Sequence, residues 1–510
     1  MTSEEIIDKA LKELAARSGS YRRARAYYDG RHQLAFATEK FQNAFGDLFK
    51  KFADNLMPPV VDAVKDSLVV TGFNVEAGEA GLADQAWKLW QDGRLSRRAG
   101  QVHKEALRTG DAYLIVWPDS EGRPSFHPNK AHLCTVNYDD EDSERVSSAV
   151  KLWQRGDKRY RLNVYYSDRI EKYVTRQSYP GGMPESSKAF DTFEMQGELW
   201  PLENPYGVVP VFHFANNADI GESGRSELAD VMSLQDALNK AVLDKMVAME
   251  FAAFPQRYAI GLEVETDPLS GKPINPFQGV ERWVTVGNDN AKFGQFEGAN
   301  LEQFLKVQNE FRMEIARVSG TPLHYFFLQT SVPSGEALKT IEKRFIKKVE
   351  DRQGAFGQVW EDVIALALKM SGENSLGESS DVRLFAQWID PAPASTKERL
   401  ESLLLKQDIG VDEEQLLIEA GYGLKDIQAM QARKAKKVAD AGREFDRGES
   451  FNNTGGGNTT GNPADDLTKR VAAAGALIRA GFVPDAALSA VGLDPIKHTH
   501  LLPVTLKTNE

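Results

Sequence analysis

One cysteine, Cys134, stands among 510 residues, so no intrachain disulfide can form and a reducing compartment is the natural setting. No apolar run approaches the ~18 residues that a membrane-spanning helix needs. The segment Met1–Arg17 is charged and amphipathic and lacks the apolar core of a signal peptide. These absences predict a chain made in the cytosol with no membrane partner. Positive charge is also short: 62 Lys and Arg against 74 Asp and Glu leave a formal −12. That balance argues against coating nucleic acid by phosphate neutralisation, though it leaves passing contact with DNA open.

Recognisable reaction chemistry is missing too. A nucleotide-hydrolysing motor needs G-x-x-x-x-G-K-[ST] so that backbone amides cradle phosphates, but Gly271-Lys272 runs into Pro273 without the upstream glycine. There is no H-E-x-x-H pair, no G-x-S-x-G elbow and no dinucleotide-binding glycine cluster. His103, His127, His132 and Cys134 match no zinc spacing, and His32, with no second ligand at helical spacing, reads as a surface residue. Cys134 follows His132 in an expected loop, without the order of a catalytic triad, and reads as structural. The expectation is therefore no catalytic residue, no metal and no cofactor.

The chain does carry the makings of a globular protein. A charged fraction of 27% and a hydrophobic fraction of 41% are ordinary for soluble domains, and the length allows two to four of them. Residues 3–50 read as helices broken near Asp29-Gly30, then a helix from Pro59 to Leu68, a strand from Val69 to Val75 and a helical stretch from Gly81 to Arg108. Asp111–Trp117, Lys151–Trp153, Tyr160–Tyr166 and Ile170–Arg176 read as strands, making 70–215 an α+β region with antiparallel pairing. A helix beginning at Gly224 with Leu228, Val231, Leu234, Leu238 and Val242 on one face should stop before Pro255. Residues 254–299, with Pro255, Pro268, Pro273 and Pro276 and β-like pieces at Tyr258–Ile260 and Trp283–Val286, read as an excursion between two helices.

The densest pattern runs from Asn300 to Gly372. Asn300 is placed to cap a helix, with Gln303 positioned to reach back, and Gly320 to end it. A Pro-bounded aromatic loop, Thr321–Pro333, follows. A second helix then continues without proline to Met370, roughly 50 Å at ~1.5 Å per residue. Its expected buried side is Leu338, Ile341, Phe345, Val349, Phe356, Trp360, Val363 and Ala367. A strand follows at Val382–Trp388. Beyond it, Leu404–Tyr422 and Ala476–Leu493 echo each other as small helical hairpins, separated by a Gly- and Asn-rich linker. Their second helices carry acidic residues or no basic ones, which excludes a helix-turn-helix DNA reader.

The phrases Arg312-Met-Glu-Ile-Ala-Arg-Val-Ser-Gly-Thr-Pro322, Ser334-Gly-Glu-Ala-Leu-Lys339 and Arg352-Gln…Phe356-Gly…Trp360-Glu361 together resemble the portal proteins of tailed phages, in particular the actinophage branch. Tyr27-Tyr28-Asp29-Gly30 and Leu234-Gln-Asp-Ala-Leu-Asn239 extend the resemblance over most of the chain. It implies an α+β, mainly helical portal fold: an N-terminal wing over 1–222, a first stem helix over 223–253, a clip over 254–299 and a second stem helix over 300–320. It further implies a tunnel loop over 321–334, a long wing helix over 335–372, a wing strand over 373–395 and a helical crown over 396–447. A flexible linker over 448–466 and a C-terminal helical hairpin and tail over 467–510 complete the order. The implied function is a structural subunit of a twelvefold ring at one capsid vertex of the virion, assembled in the host cytoplasm. Double-stranded DNA would pass through it during packaging and ejection. Its implied partners are the terminase large subunit, a head-tail adaptor or neck protein, and the major capsid and scaffold proteins. By the same order His324, Gln329, Thr330 and Ser331 are candidates for the channel loop, and Asp267, Lys272, Asn275 and Asp289 for clip contacts. A terminase-type packaging enzyme and a helical head scaffold or adaptor are the alternatives.

Overall fold

The computed structural model describes residues 1–32, 54–76, 81–194, 200–253, 257–260, 266–272, 292–295, 300–327, 335–372, 383–392, much of 396–436, 463–479 and 484–493. Helix α1 (Ser3–Tyr28) opens on a reciprocal cap, in which the Thr2 hydroxyl accepts from the Glu5 amide and the Glu5 carboxylate takes the Thr2 amide. Gly30, at φ +67°, turns the chain after it. Helix α2 (Met57–Ser67) starts with proline in its first turn, where no amide is needed, and leads into β1 (Val70–Glu76). The single helical stretch expected from Gly81 is in fact two helices, α3 (Leu82–Asp92) and α4 (Leu95–Thr109). The break falls at Gly93-Arg94: Arg94 is left-handed at φ +51°, and a Cβ on Gly93 would sit 2.5 Å from the Phe126 ring.

Nine strands follow: β2 (Asp111–Pro118), β3 (Pro124–Lys130), β4 (Cys134–Tyr138), β5 (Val146–Gln154), β6 (Tyr160–Tyr165), β7 (Arg169–Thr175), β8 (Phe190–Thr192), β9 (Leu202–Glu203) and β10 (Val211–Ala215). All pair antiparallel, as β10-β2-β3 and as β4-β5-β6-β7-β8 with β9 on β7. Cys134 opens a strand instead of lying in a loop, and burial pushes its thiol up to about 12. Strands β3, β4, β8 and β9 carry no clear alternation and are absent from the sequence expectation. One face of the larger sheet is covered by Ile6, Ile7, Ala10, Leu11 and Leu14 of α1. At roughly 1.5–3 kcal/mol per fully buried aliphatic side chain, that stripe is enough to hold the helix there.

Helix α5 (Met232–Ala253), strands β11 (Arg257–Ile260) and β12 (Lys292–Gln295), and α6 (Leu301–Ser319) come next, with β11 and β12 paired antiparallel. The β-like piece Trp283–Val286 lies outside the described residues. Asn300 caps α6 by accepting from the Glu302 amide, and Gly320 ends it at φ +68°. Helix α7 (Gly335–Met370) then runs the expected length, and β13 (Arg383–Trp388) returns to pair with β1. Phe345, Val349, Phe356, Trp360, Val363 and Ala367 are buried as expected, whereas Ile341 is 53% exposed and departs from that face. Trp360 meets Trp90 edge-on at 4.9 Å and donates its Nε1 hydrogen to His103 Nε2 at 2.9 Å, with burial pushing the imidazole down to about 3.

Residues 394–510 form a second compact unit. It contains α8 (Thr396–Asp408), with Gly410 left-handed beyond it, and the packed pair α9 (Pro463–Arg479) and α10 (Pro484–Ala490). Helix α9 begins inside the stretch expected to be linker.

Candidate functional site at the root of a helical hairpin

The two phrases Tyr27-Tyr28-Asp29-Gly30 and Leu234-Gln-Asp-Ala-Leu-Asn239 meet in space. Tyr27 Oη donates to Asp236 Oδ2 at 2.7 Å, and the Tyr27 ring stacks on His32 at 4.2 Å. His32 Nε2 lies 2.9 Å from the Asn239 amide nitrogen. Gln235 takes the Leu56 amide on Oε1 at 2.9 Å and donates to the Asp54 carbonyl at 2.6 Å. Tyr28 Oη donates to Asp62 at 2.7 Å, with Lys104 Nζ 4.5 Å from its ring centroid. His32 is therefore buried and not a surface residue, because α5 covers it; burial lowers its pKa. The dock fixes the base of α5 to the end of α1 and the start of α2.

A second joint lies just before α5. Gly110, at φ +106°, and Gly224 cross so closely that a Cβ on Gly224 would sit 1.9 Å from the Gly110 carbonyl oxygen. Only glycine at both places permits the crossing. Ser226 Oγ donates to the Arg108 carbonyl at 2.6 Å, the Glu227 amide to the Leu107 carbonyl at 2.9 Å and the Arg225 amide to the Asn216 carbonyl at 2.6 Å. These bonds commit the backbone of 224–231 to turns, which is why α5 starts at Met232 and not at Gly224. Asp111, beside the crossing, accepts from Tyr21 Oη at 2.5 Å, His213 Nε2 at 2.8 Å and the Gly224 amide at 2.7 Å. Burial pushes its pKa up, and these donors more than offset that and hold it below the usual carboxylate range.

Glu227 carries the same joint to α7. Its carboxylate takes Lys348 Nζ at 2.5 Å, Arg352 Nη2 at 3.0 Å and Asn216 Nδ2 at 3.1 Å. Lys348 also donates to the Ser319 carbonyl at 2.9 Å and Arg344 to the Arg317 carbonyl at 2.9 Å, so α7 closes the C-terminal end of α6. A cavity of about 60 Å³, lined in part by Asn216, Glu227 and Ser319, sits at the meeting point.

The sequence-derived candidates distribute unevenly. His324, in the 3-10 turn Leu323–Tyr325, has Nε2 3.0 Å from Glu342 Oε1 of α7; Glu342 is lifted by burial, an effect His324 partly offsets. Gln329, Thr330 and Ser331 lie outside the described residues. Asp267 is half-buried and builds a turn, accepting from Ser270 Oγ at 2.6 Å and the Leu269 amide at 3.0 Å, and those bonds lower its pKa. Lys272 is exposed and closes the turn, its carbonyl accepting from the Asp267 amide at 2.9 Å. Asn275 and Asp289 lie outside the described residues. Among the described residues no group of three or more His, Cys, Asp and Glu side chains is placed to hold a metal ion.

Residues 7–438 match the family model described as phage portal protein, SPP1 Gp6-like. The chain belongs to that portal family. Its relatives include the portal protein of Mycobacterium phage D29, 23% identical over 399 residues, covering 74% of this chain and 78% of that one. The portal protein of Mycobacterium phage L5 is 23% identical over 467 residues, covering 86% and 88%. Solved structures with some likeness include the neck of a native gene transfer agent particle computed with C12 symmetry and the virion of the native particle. Their TM-scores are 0.39 and 0.41, at 14% and 13% identity, each covering 72% of this chain and 90% and 89% of theirs.

In this portal-family chain, α5 and α6 pack side by side. Lys245 donates to the buried Gln308 at 2.9 Å, and Gln308 donates to the Ala241 carbonyl at 3.3 Å. Met249, Leu305, Val307 and Met313 on the same pair are between 41% and 50% exposed.

Proposed function

We propose that this portal-family chain is the subunit of a closed ring set at one vertex of a phage capsid. The observation that carries the reading is the large apolar surface left uncovered on α5, α6 and α7: Met249, Leu305, Val307, Met313 and Ile341 project outward on helices whose other sides are already packed. A second copy of the chain, related by rotation, would cover it, and repetition of that contact closes a ring. Twelve copies is the proposed number. In this reading α5 and α6 are the stem, 254–299 the clip, 321–334 the channel loop, α7 the spine of the wing and 396–447 the crown.

The ring passes double-stranded DNA without gripping it. Duplex DNA presents one charge per ~1.7 Å, so a strongly basic lining would bind through counterion release and stall movement, whereas a chain of net charge −12 suits sliding. The clip holds the terminase large subunit during filling and an adaptor or neck protein afterwards, and the wing meets capsid and scaffold proteins. The role is structural, with no reaction assigned to any residue. Light scattering and negative-stain images of the purified full-length chain test the ring. A closed ring of about a dozen copies is the expected result, and a monodisperse monomer at micromolar concentration overturns it.

A further inference from the structure

The dock at α5 holds three buried polar atoms that no hydrogen bond satisfies: His32 Nδ1, Asp236 Oδ1 and Asn239 Oδ1. Their residues are 9%, 5% and 1% exposed. Tyr27 satisfies Asp236 Oδ2, but Oδ1 is turned toward the imidazole, 3.8 Å from His32 Nε2. A buried carboxylate is ordinarily paired with a cation. Among the described residues no Lys or Arg forms an ion pair with Asp236, the nearest approach being that of Arg23 to the Tyr27 ring, 5.6 Å from its centroid.

We propose that His32 Nε2, Asp236 Oδ1 and Asn239 Oδ1 bind one divalent first-row cation, which ties the end of the N-terminal helical segment to the root of α5. Asp236 and Asn239, three residues apart, share one face of the helix, and His32 faces them from a segment about two hundred positions earlier in sequence. Ligand atoms ~2.1 Å from a metal lie about 3.0 Å apart at octahedral angles and about 3.4 Å apart at tetrahedral ones. The observed separations of 2.9 Å from His32 Nε2 to the Asn239 amide and 3.8 Å to Asp236 Oδ1 bracket those values. Rotating the Asn239 amide about its Cβ–Cγ bond places Oδ1 where Nδ2 stands. One imidazole, one carboxylate and one amide oxygen suit Zn²⁺, Co²⁺ or Mn²⁺, with water filling the remaining positions.

The test is isothermal titration of chelator-treated, dialysed full-length protein with Zn²⁺ and with Co²⁺. One saturable ion per chain is expected, with a visible Co²⁺ absorption band. His32→Ala and Asp236→Asn should each weaken binding at least tenfold, and His324→Ala should leave it unchanged. Asn239→Asp, which supplies a second carboxylate in the same shape, should tighten it at least threefold and keeps the test decisive if the other variants fail to fold. No saturable binding below about 1 mM, or an affinity indifferent to His32→Ala or to Asn239→Asp, overturns the proposal and leaves an ordered water as the occupant.

Discussion

Replacing Glu227 with Gln asks how much of the fold depends on one carboxylate. The Glu227, Lys348 and Arg352 side chains are 8%, 14% and 11% exposed, and both cations reach the carboxylate within 3.0 Å. Removing the charge leaves two cations facing each other with little water to screen them. Breaking a buried pair in this way costs about 3–5 kcal/mol. The lower end applies here, because the amide oxygen can still accept one donor and Lys348 keeps the Ser319 carbonyl. A loss of about 3 kcal/mol shifts the folding equilibrium by roughly two decades, against a total near 5–15 kcal/mol. Denaturant unfolding at pH 7.5, followed through the buried Trp90 and Trp360, would measure it. Adding Lys348→Met to Glu227→Gln should lose less than the sum of the single changes, by more than about 1 kcal/mol, since the second change removes a charge the first left unpaired. The pH dependence has a definite sign. Burial pushes the Glu227 pKa up, but Lys348 and Arg352 more than reverse that and hold it low. Its contribution is thus fully present above the unfolded-state pKa of about 4.3 and lost as pH falls through the folded value. A single-site loss below about 1 kcal/mol, or strict additivity with Lys348→Met, would refute the reasoning.

Four further outcomes are expected. Gly224→Ala should cost more than about 4 kcal/mol, or abolish soluble expression, because its Cβ meets the Gly110 backbone; Gly100→Ala, with nothing within 4 Å, should stabilise slightly in the same assay. Partial burial, then the like charges of Glu361 and Glu144, lift Asp362 to about 6. Its protonated form is the one the fold favours, so Asp362→Asn should raise the unfolding midpoint at pH 7.5 and change it little at pH 4; equal effects at both would exclude the shift. Deleting Pro268–Phe277 should leave the ring intact in negative stain and abolish pull-down of the terminase large subunit, whereas loss of the ring would show the segment to be core. Gln329→Lys with Ser331→Lys should leave assembly unchanged and increase salt-sensitive DNA retention, and parental retention would withdraw the channel role from that loop.

Local signals were legible wherever one residue decides the backbone by itself. Gly320 and Gly410 mark left-handed helix ends, Pro59 marks a first turn, and the spacing of Phe356, Trp360, Val363 and Ala367 marks a buried face. Failures came where tertiary bonds outvote local preference. Leu228 and Val231 have helical spacing and are buried, yet the backbone around them is spent on Leu107, Arg108 and Asn216 and cannot coil. Ile341 has the spacing of a core residue but stands outside, since α7 turns that position away from the body.

The polar dock was illegible for a different reason. His32 has no polar partner near it in sequence, because Asp236 and Asn239 belong to a helix that folds back over it. Each phrase alone is an unremarkable helix end or an amphipathic turn. Their meaning comes from the pairing: Tyr27 with one oxygen of Asp236, and Gln235 with the backbone of residues 54 and 56, join polar groups that are costly to bury singly. A root made of directional hydrogen bonds fixes the angle at which α5 leaves it in a way that an apolar contact does not. In the ring proposed above, Tyr27 and Gln235 would set the angle at which α5 leaves its root, and loosening either should alter ring geometry in negative stain before it lowers the unfolding midpoint.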